Sequence, residues 1–408
     1  MKYLPGKFIP TTELPNIEMA SDSQTAESMS PKPIPFNRPC LGGNELRNIR
    51  RAIENGHISG GGQFTDRVEK TLLKRIRGSK RVLLTTSCTH ALEMSAILSG
   101  ISPGDEVIVP SFTFVSSALA FVMQGAVPVF ADIRPDTLNI DETRLEELIT
   151  KRTKAIVVVH YAGVACEMDQ ILEICRQYNL ILIEDNAHGL FGSYRGRFLG
   201  SIGDFATQSF HETKNLYCGE GGALIVNDSN LIKRAEIIRE KGTNRSQFFR
   251  GEIDKYSWVD KGSSYVISDM LAAFLDAQLE FADTIQQRRK RIWDTYDNAL
   301  KSWSAKNDIA TPYVPEYCDQ AFHMYYLILP DQNSRDRFID HLKKYAIHAV
   351  FHYLPLHSSK MGQKLGLAPD GCKVTQDLAY RLVRLPFFHG LSHEEQSRII
   401  DSTMEFEC

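Results

Sequence analysis

The sequence predicts an α/β fold built on a mostly parallel central sheet. Short, continuous apolar runs recur at 82–84, 106–109, 127–130, 155–159, 180–183 and 223–226. Helical patterns fall between the early ones, at 89–99, 114–123, 143–149 and 167–177. Strands that are apolar on every residue, rather than on alternate ones, belong in a sheet covered by helices on both faces. A chain of 408 residues also exceeds what a single core usually supports, which predicts two domains.

Taken in order, the first 33 residues are rich in Pro, Ser, Thr and Glu and end in Ser30-Pro31-Lys32-Pro33. They read as a flexible extension (1–33) before a folded body that opens near Ile34. Asn44 is placed to cap a helix over 45–55 that Gly56 ends. A glycine-rich loop, Ser59-Gly60-Gly61-Gly62, follows. The strand and helix alternation then fills a large domain over 34–290. A charged helical pattern at 286–301 suits a connection to a smaller domain over 291–408. That part reads as a strand at 324–329, a helix at 335–345, an extended piece at 349–353 and a final helix after His393.

With 43% hydrophobic residues, 24% charged and a net charge of -3, the composition argues against a nucleic-acid or membrane surface and for small-molecule partners. Eight cysteines stand at irregular spacing without a C-x-x-C pair, the pattern of reduced thiols in a cytosolic protein. No apolar run reaches the roughly 20 residues that cross a bilayer, and no signal pattern opens the chain. The expected location is the cytoplasm.

In a parallel sheet, ligands collect beyond the carboxyl ends of the strands. Three segments fall there. The run 180–183 leads into Glu184-Asp185-Asn186-Ala187-His188, so Asp185 sits at a buried strand end, where a carboxylate can keep a pyridine nitrogen protonated. A strand-end Asp that merely caps the next turn is the bland alternative. Thr85-Thr86-Ser87-Cys88-Thr89-His90 joins a strand to a helix, and backbone N–H groups at such a helix start form an anion site fit for a phosphate. Plain N-capping explains the same residues.

Ser209-Phe210-His211-Glu212-Thr213-Lys214-Asn215 is the third segment. A lysine in a desolvated pocket loses proton affinity and becomes nucleophilic, and glycines 219, 221 and 222 let backbone pass close to a ligand. A lone lysine is usually a solvated surface residue. In company with Asp185, Ser209 and the helix-start turn, Lys214 reads as the Schiff-base lysine of a pyridoxal phosphate site. Phe112 and Phe114, after another strand, include a ring able to stack on a pyridine face.

These residues, with Gly56-His57-Ile58-Ser59-Gly60, Ser87-Cys88-Thr89-His90-Ala91-Leu92-Glu93-Met94, Pro103-Gly104-Asp105-Glu106-Val107-Ile108 and His160-Tyr161-Ala162-Gly163, resemble the DegT-type nucleotide-sugar aminotransferases. The likeness runs from Ile34 to the C-terminus. It implies fold type I of the pyridoxal phosphate transferases, a homodimer with active sites at the subunit interface, glutamate as amino donor and a nucleotide-linked keto sugar as acceptor. Carried over by motif, Lys214 bonds the cofactor aldehyde, Asp185 partners the pyridinium and Ser209 binds the phosphate. Cys88, Thr89 and His90 supply the helix-start phosphate site and Phe114 the stacking ring. Segments 160–169, 209–215 and 239–251 are most similar to members that aminate C4 of dTDP-4-keto-6-deoxyglucose to give dTDP-4-amino-4,6-dideoxygalactose.

Two departures from the family pattern stand out. His188 occupies a position usually held by Gln, whose side chain hydrogen-bonds the cofactor's phenolic oxygen; a ring N–H of His can keep that contact. Val266 stands where an Asn commonly reaches the phosphate of the neighbouring subunit, which leaves Asn244, Arg245 or a nearby group to do so. Arg245, Arg250, Lys255, His323, His352 and His357 are candidates for the sugar diphosphate. The His pair 352 and 357 lacks the further ligands that zinc requires.

Other readings are weaker. A 3-dehydratase of the same fold carries His in place of the lysine, which Lys214 opposes. Amination at C3 of a dTDP-3-keto-6-deoxy sugar would use the same residues. A non-catalytic pyridoxal phosphate regulator has no DNA-binding segment here to support it, and no G-x-G-x-x-G opens a helix as a dinucleotide-binding oxidoreductase requires.

Overall fold

The computed structural model describes residues 32–407, so the expected extension over 1–33 lies outside the described residues except for its last two. In chain order the strands are β1 (Arg81–Thr85), β2 (Glu106–Pro110), β3 (Val127–Ala131), β4 (Thr153–Val159), β5 (Ile181–Asp185), β6 (Ser193–Tyr194) and β7 (Arg197–Phe198). After them come β8 (Phe205–Ser209), β9 (Gly222–Val226), β10 (Cys318–Asp319), β11 (Tyr326–Ile328) and β12 (Leu382–Arg384). Seven of these form the central sheet in the order β1-β9-β8-β5-β4-β2-β3.

Strands β8, β5, β4, β2 and β3 run parallel to one another. Only β9 is reversed, pairing antiparallel with both β1 and β8. All six apolar runs of the sequence are strands of this sheet, together with 205–209. The orientation of β9 was not legible in its apolar run, because a fully buried strand looks alike in either direction. Its reversal has a use: β9 starts at the edge where the other strands end, so Gly222 pairs with both Thr85 and Ser209.

Apolar layers lie on both faces of the sheet, which is why its strands are apolar throughout. Leu83, Val109, Val157, Ile183, Phe205 and Leu224 face Ala91, Leu92 and Phe121. On the other face Val82, Leu84, Ala206 and Ile225 meet Phe64, Val68, Leu72 and Leu275. Burying each such Val, Leu or Phe contributes about 1.5–3 kcal/mol. A further cluster gathers Ile292 and Tyr296 of the long helix Ala282–Lys306 with Tyr325, Leu327, Phe338, Val383 and Ile399 beyond it, joined by Ile34.

Some local expectations differ. Asn44 precedes helix Glu45–Glu54 but makes no capping bond; its amide donates to Glu280 instead, at 2.6 Å, while Glu45 accepts the amides of Gly42 and Gly43. The helix expected at 143–149 is two 3-10 turns, Glu142–Arg144 and Glu146–Leu148. The Asp141 side chain closes the first on Thr143. Extended structure at 349–353 reduces to one bridge between Val350 and Arg384. The seven described cysteines are all free, and no described helix is long and apolar enough to cross a membrane.

Candidate active site

The carboxyl ends of the strands open into a cavity of about 760 Å³. Its wall includes Ser87, Cys88, Thr89, Phe114, Asp185, His188, Ser209, Lys214, His323, His352, Tyr353 and Arg384. Residues nearly 300 positions apart in the chain thus share one space.

Lys214 sits in the turn after β8, tied back by its amide to the His211 carbonyl at 2.9 Å. Burial lowers its pKa to about 8, although the nearby Asp185 carboxylate pulls the other way. That is the state a nucleophilic amine needs near neutral pH. Asn215 locks the turn: its amide donates to the Ala321 carbonyl at 2.7 Å, and its oxygen lies 2.8 Å from His323 Nδ1. Arg289 of the long helix then holds the carbonyls of Phe322 and His323. The lysine turn is clamped to the C-terminal part of the chain.

Asp185 ends β5 and is 5% exposed. Burial raises its pKa, opposed by the Ser117 hydroxyl, which donates to Oδ2 at 2.7 Å, and by the Ala187 amide, which donates to Oδ1 at 3.2 Å. Ser117 is itself paired with Thr113 at 2.8 Å. So Asp185 does cap the following turn, as the bland reading held, and also faces the cavity. A carboxylate made costly by burial is stabilised by a cation brought against it.

The helix-start turn has the geometry of an anion site. Ser87 caps helix Cys88–Leu98, its hydroxyl accepting the His90 amide at 3.1 Å. The amides of Cys88 and Thr89, first in the helix, have no intrahelical acceptor. The Thr89 hydroxyl meets Ser116 at 2.7 Å and the Cys88 thiol meets Thr207 at 3.4 Å. Burial drives the Cys88 pKa far upward, so it is a neutral packing thiol there. His90 is not part of the cavity wall: its ring bonds Thr86 and packs edge-on against Tyr265, and its amide is taken by the cap. The helix start faces the cavity through Cys88 and Thr89.

Gly222 makes room for this turn. A Cβ there would lie 2.3–2.5 Å from the Ser87 carbonyl and the Cys88 nitrogen. Gly222→Ala therefore forces the turn away from β9. A backbone shift of that kind costs about 1–3 kcal/mol, and every 1.4 kcal/mol lost in binding is tenfold, so pyridoxal phosphate affinity should fall about tenfold or more. A cofactor titration with a thermal melt checks this; unchanged affinity and melting temperature would refute it.

His188 is 4% exposed and burial holds its pKa well below the ordinary histidine value, with Lys214 and Arg384 adding to the effect. It is a neutral imidazole. Nε2 lies 3.2 Å from the Tyr353 hydroxyl, while Nδ1 is buried without a hydrogen-bond partner. With Tyr353 donating to Nε2, the ring proton falls on Nδ1, leaving a donor for an outside acceptor. The ring is held by stacking on His323, centroids 4.2 Å apart. His352 stands near, its Nδ1 2.7 Å from the Tyr161 hydroxyl.

Of the candidates for the sugar diphosphate, the cavity brings together His323 and His352 only. Arg250 is engaged by Glu236 and Glu252. Arg245 lies over the Phe249 ring, Lys255 is exposed, and His357 Nδ1 bonds Ser111 at 2.7 Å; none of the four lines the cavity. Asn244 accepts the Ser257 amide, and Val266 lies against Gly60. Phe114 is at the mouth, 55% exposed. Sequence reasoning missed Ser117, Tyr353 and Arg384. Thr113 and Ser117, two hydroxyls four residues apart around a helix start, and the lone charge of Arg384 between Val383 and Leu385 were the available signals.

The residues fit pyridoxal phosphate: an amine of lowered pKa, a buried carboxylate awaiting a cation, an unpartnered ring nitrogen of His188 and a helix start suited to an anion with Ser209 alongside. When bound, that cofactor supplies an electron sink for amino-group transfer. Fold and site together define a fold type I pyridoxal phosphate enzyme. The profile of the DegT/DnrJ/EryC1/StrS aminotransferase family matches residues 39–404, and the chain belongs to that family.

It is 32% identical to the spore coat polysaccharide biosynthesis protein SpsC of Bacillus subtilis, over 91% of this chain and 96% of that protein. It is 35% identical to GDP-perosamine synthase of Caulobacter vibrioides, over 89% and 95%. Among solved structures, the PLP form of the sugar aminotransferase Spr1654 from Streptococcus pneumoniae superposes with a TM-score of 0.82 at 27% identity, covering 91% of this chain and 98% of that one. Its PMP form superposes at 0.83. The protein is a pyridoxal phosphate-dependent sugar aminotransferase.

Proposed function

We propose that this enzyme moves the amino group of glutamate to C4 of a nucleotide-linked 4-keto-6-deoxy sugar, converting dTDP-4-keto-6-deoxyglucose to dTDP-4-amino-4,6-dideoxygalactose. The observation that carries the reading is the cavity that Lys214 and Asp185 share. At about 760 Å³, it falls within the range of cavities that take a cofactor together with a small-molecule substrate. The lysine amine is the group that moves the proton between the substrate carbon and the cofactor in both halves of the exchange. Asp185 holds the opposite pole of the cofactor, and the His188 ring N–H orients it. Likeness along 160–169, 209–215 and 239–251 supports C4 over C3 and thymidine as the nucleotide.

A homodimer belongs to the same proposal. Trp258, Phe249 and Tyr256 are 81%, 67% and 51% exposed, an aromatic surface of the kind that a second copy covers. So does the division into domains at 34–290 and 291–408, which the separate apolar cluster formed by the long helix and the residues after it supports. We further infer that the enzyme works in the cytoplasm.

The test is incubation of the holoenzyme with glutamate and dTDP-4-keto-6-deoxyglucose or its GDP-linked counterpart, followed by NMR of the product. The expected outcome is an amine at C4 of the dTDP sugar and one 2-oxoglutarate per amine. An amine at C3, or turnover of the GDP sugar alone, sinks the substrate assignment.

A further inference from the structure

Among the described residues, Arg384 is the one guanidinium in the cavity wall and Lys214 the one amine. The Arg384 backbone is fixed on two sides. Within β12 it pairs with Tyr326 of β11, and its amide donates to the Val350 carbonyl at 2.7 Å while its carbonyl accepts the Val350 amide at 3.1 Å. The guanidinium lies 4.4 Å from the Phe36 ring centroid, a stacking arrangement that orients the fork and leaves its edge free.

The donors of this fork are mostly unused. Nη2 reaches the Phe351 carbonyl at 3.3 Å, and Nε is buried without a partner. The groups facing it are the Tyr161 and Tyr353 hydroxyls, His188, His352 and Lys214, and among the described residues no carboxylate pairs with it. Arg289 shows the contrast: it too lacks an acidic partner, but its donors are committed to the carbonyls of Phe322 and His323. A half-buried cation with a free planar fork, beside a second cation, costs free energy until an anion arrives. A planar carboxylate matches the fork in two parallel hydrogen bonds.

The α-carboxylate of an amino donor is one bond from the carbon whose proton Lys214 moves, so it must lie close to that amine whenever the donor is bound. A sugar diphosphate is separated from the reacting carbon by the pyranose ring. We propose that Arg384 binds the α-carboxylate of the amino donor. This rests on the glutamate donor of the preceding section and adds the residue that recognises it. The acceptor sugar carries no carboxylate, so Arg384 serves the donor half of the exchange and the sugar half does without it.

The test uses holoenzyme and donor alone, with conversion of the bound cofactor followed by absorbance, so the identity of the sugar does not enter. Arg384→Gln should raise the glutamate concentration for half-maximal conversion about 100-fold, and Arg384→Lys should recover part of that loss. On the same Arg384→Gln holoenzyme the calorimetric Kd for dTDP should stay within about twofold of wild type. An unchanged glutamate dependence overturns the proposal, and so does weakened dTDP binding with glutamate unaffected, which would assign the fork to the diphosphate.

A wild-type comparison covers a variant that fails to fold. L-alanine, which keeps the α-carboxylate, should convert the cofactor, whereas 4-aminobutyrate, which lacks it, should not; the reverse order overturns the proposal. If glutamate fails with wild type but another amino acid works, the donor reading falls, and the same titrations with that amino acid still judge Arg384.

Discussion

Lys214→Ala should abolish turnover, by about 10⁴-fold or more, since in the proposed reaction one amine is both the covalent anchor of the cofactor and the group that moves the substrate proton. The absorbance of covalently bound cofactor should vanish with it, while the melting temperature of the apo protein should hold or rise, because a buried amine kept at a lowered pKa is itself a cost. Full turnover in the variant would end the assignment.

Wild-type apo protein offers a second measurement at the same residue. The Lys214 pKa is lowered from 10.5 to about 8, chiefly by burial, and only the neutral amine attacks an aldehyde. Capture of added pyridoxal phosphate should therefore accelerate as pH rises through about 8 and then level off. Between about 8 and 10.5 the unfolded chain binds more protons at this site than the folded one. Apo stability from Lys214 accordingly climbs with pH across that window and is lost as pH falls through it. A capture rate independent of pH from 7 to 9 would contradict the environment described for this amine.

Asp185→Asn is the other large effect. Asparagine keeps the shape and can still meet Ser117, but it cannot keep a pyridine nitrogen protonated, so the cofactor loses most of its capacity to hold the electron pair released by the substrate. Turnover should fall about 10³-fold, the scale of removing one preorganised electrostatic partner. Fold and cofactor capture should survive. The informative readout is a split: kcat falls while the glutamate KM moves little, since Asp185 touches no substrate atom. Loss expressed only in KM would place the carboxylate elsewhere in the chemistry.

That both residues line one cavity was legible in the sequence because each sits at a position the chain itself marks. Asp185 ends an uninterrupted apolar run, and Lys214 stands between another such run and a cluster of glycines. The turn at 85–90 was equally marked, yet its members play unequal parts: His90, next to Thr89 in the chain, has its ring bonded to Thr86 and its amide held by Ser87. One residue further along a helix turns a side chain by about 100°, which no inspection of neighbours in sequence resolves.

Arg245, Arg250 and Lys255 were chosen for charge alone, and the local carboxylates Glu236 and Glu252 engage Arg250 before any ligand can. His323 and His352 were chosen on equally thin grounds and do line the cavity. What separates them is long-range packing: Asn215 and Arg289 draw the His323 loop against the lysine turn, and the bridge from Val350 to Arg384 swings His352 and Tyr353 inward.

The α/β class, the strand-end carboxylate, the reactive lysine and the family were written in the order of residues along the chain, since strands, turns and glycines act over a few positions. The neutral state of His188, the close approach that Gly222 permits and the free fork of Arg384 depend on distances between segments as far apart in sequence as Phe36 and Arg384. Those distances exist only after the sheet has aligned its strand ends and the C-terminal part has closed over them, because burial and the pairing of polar groups are properties of the packed chain.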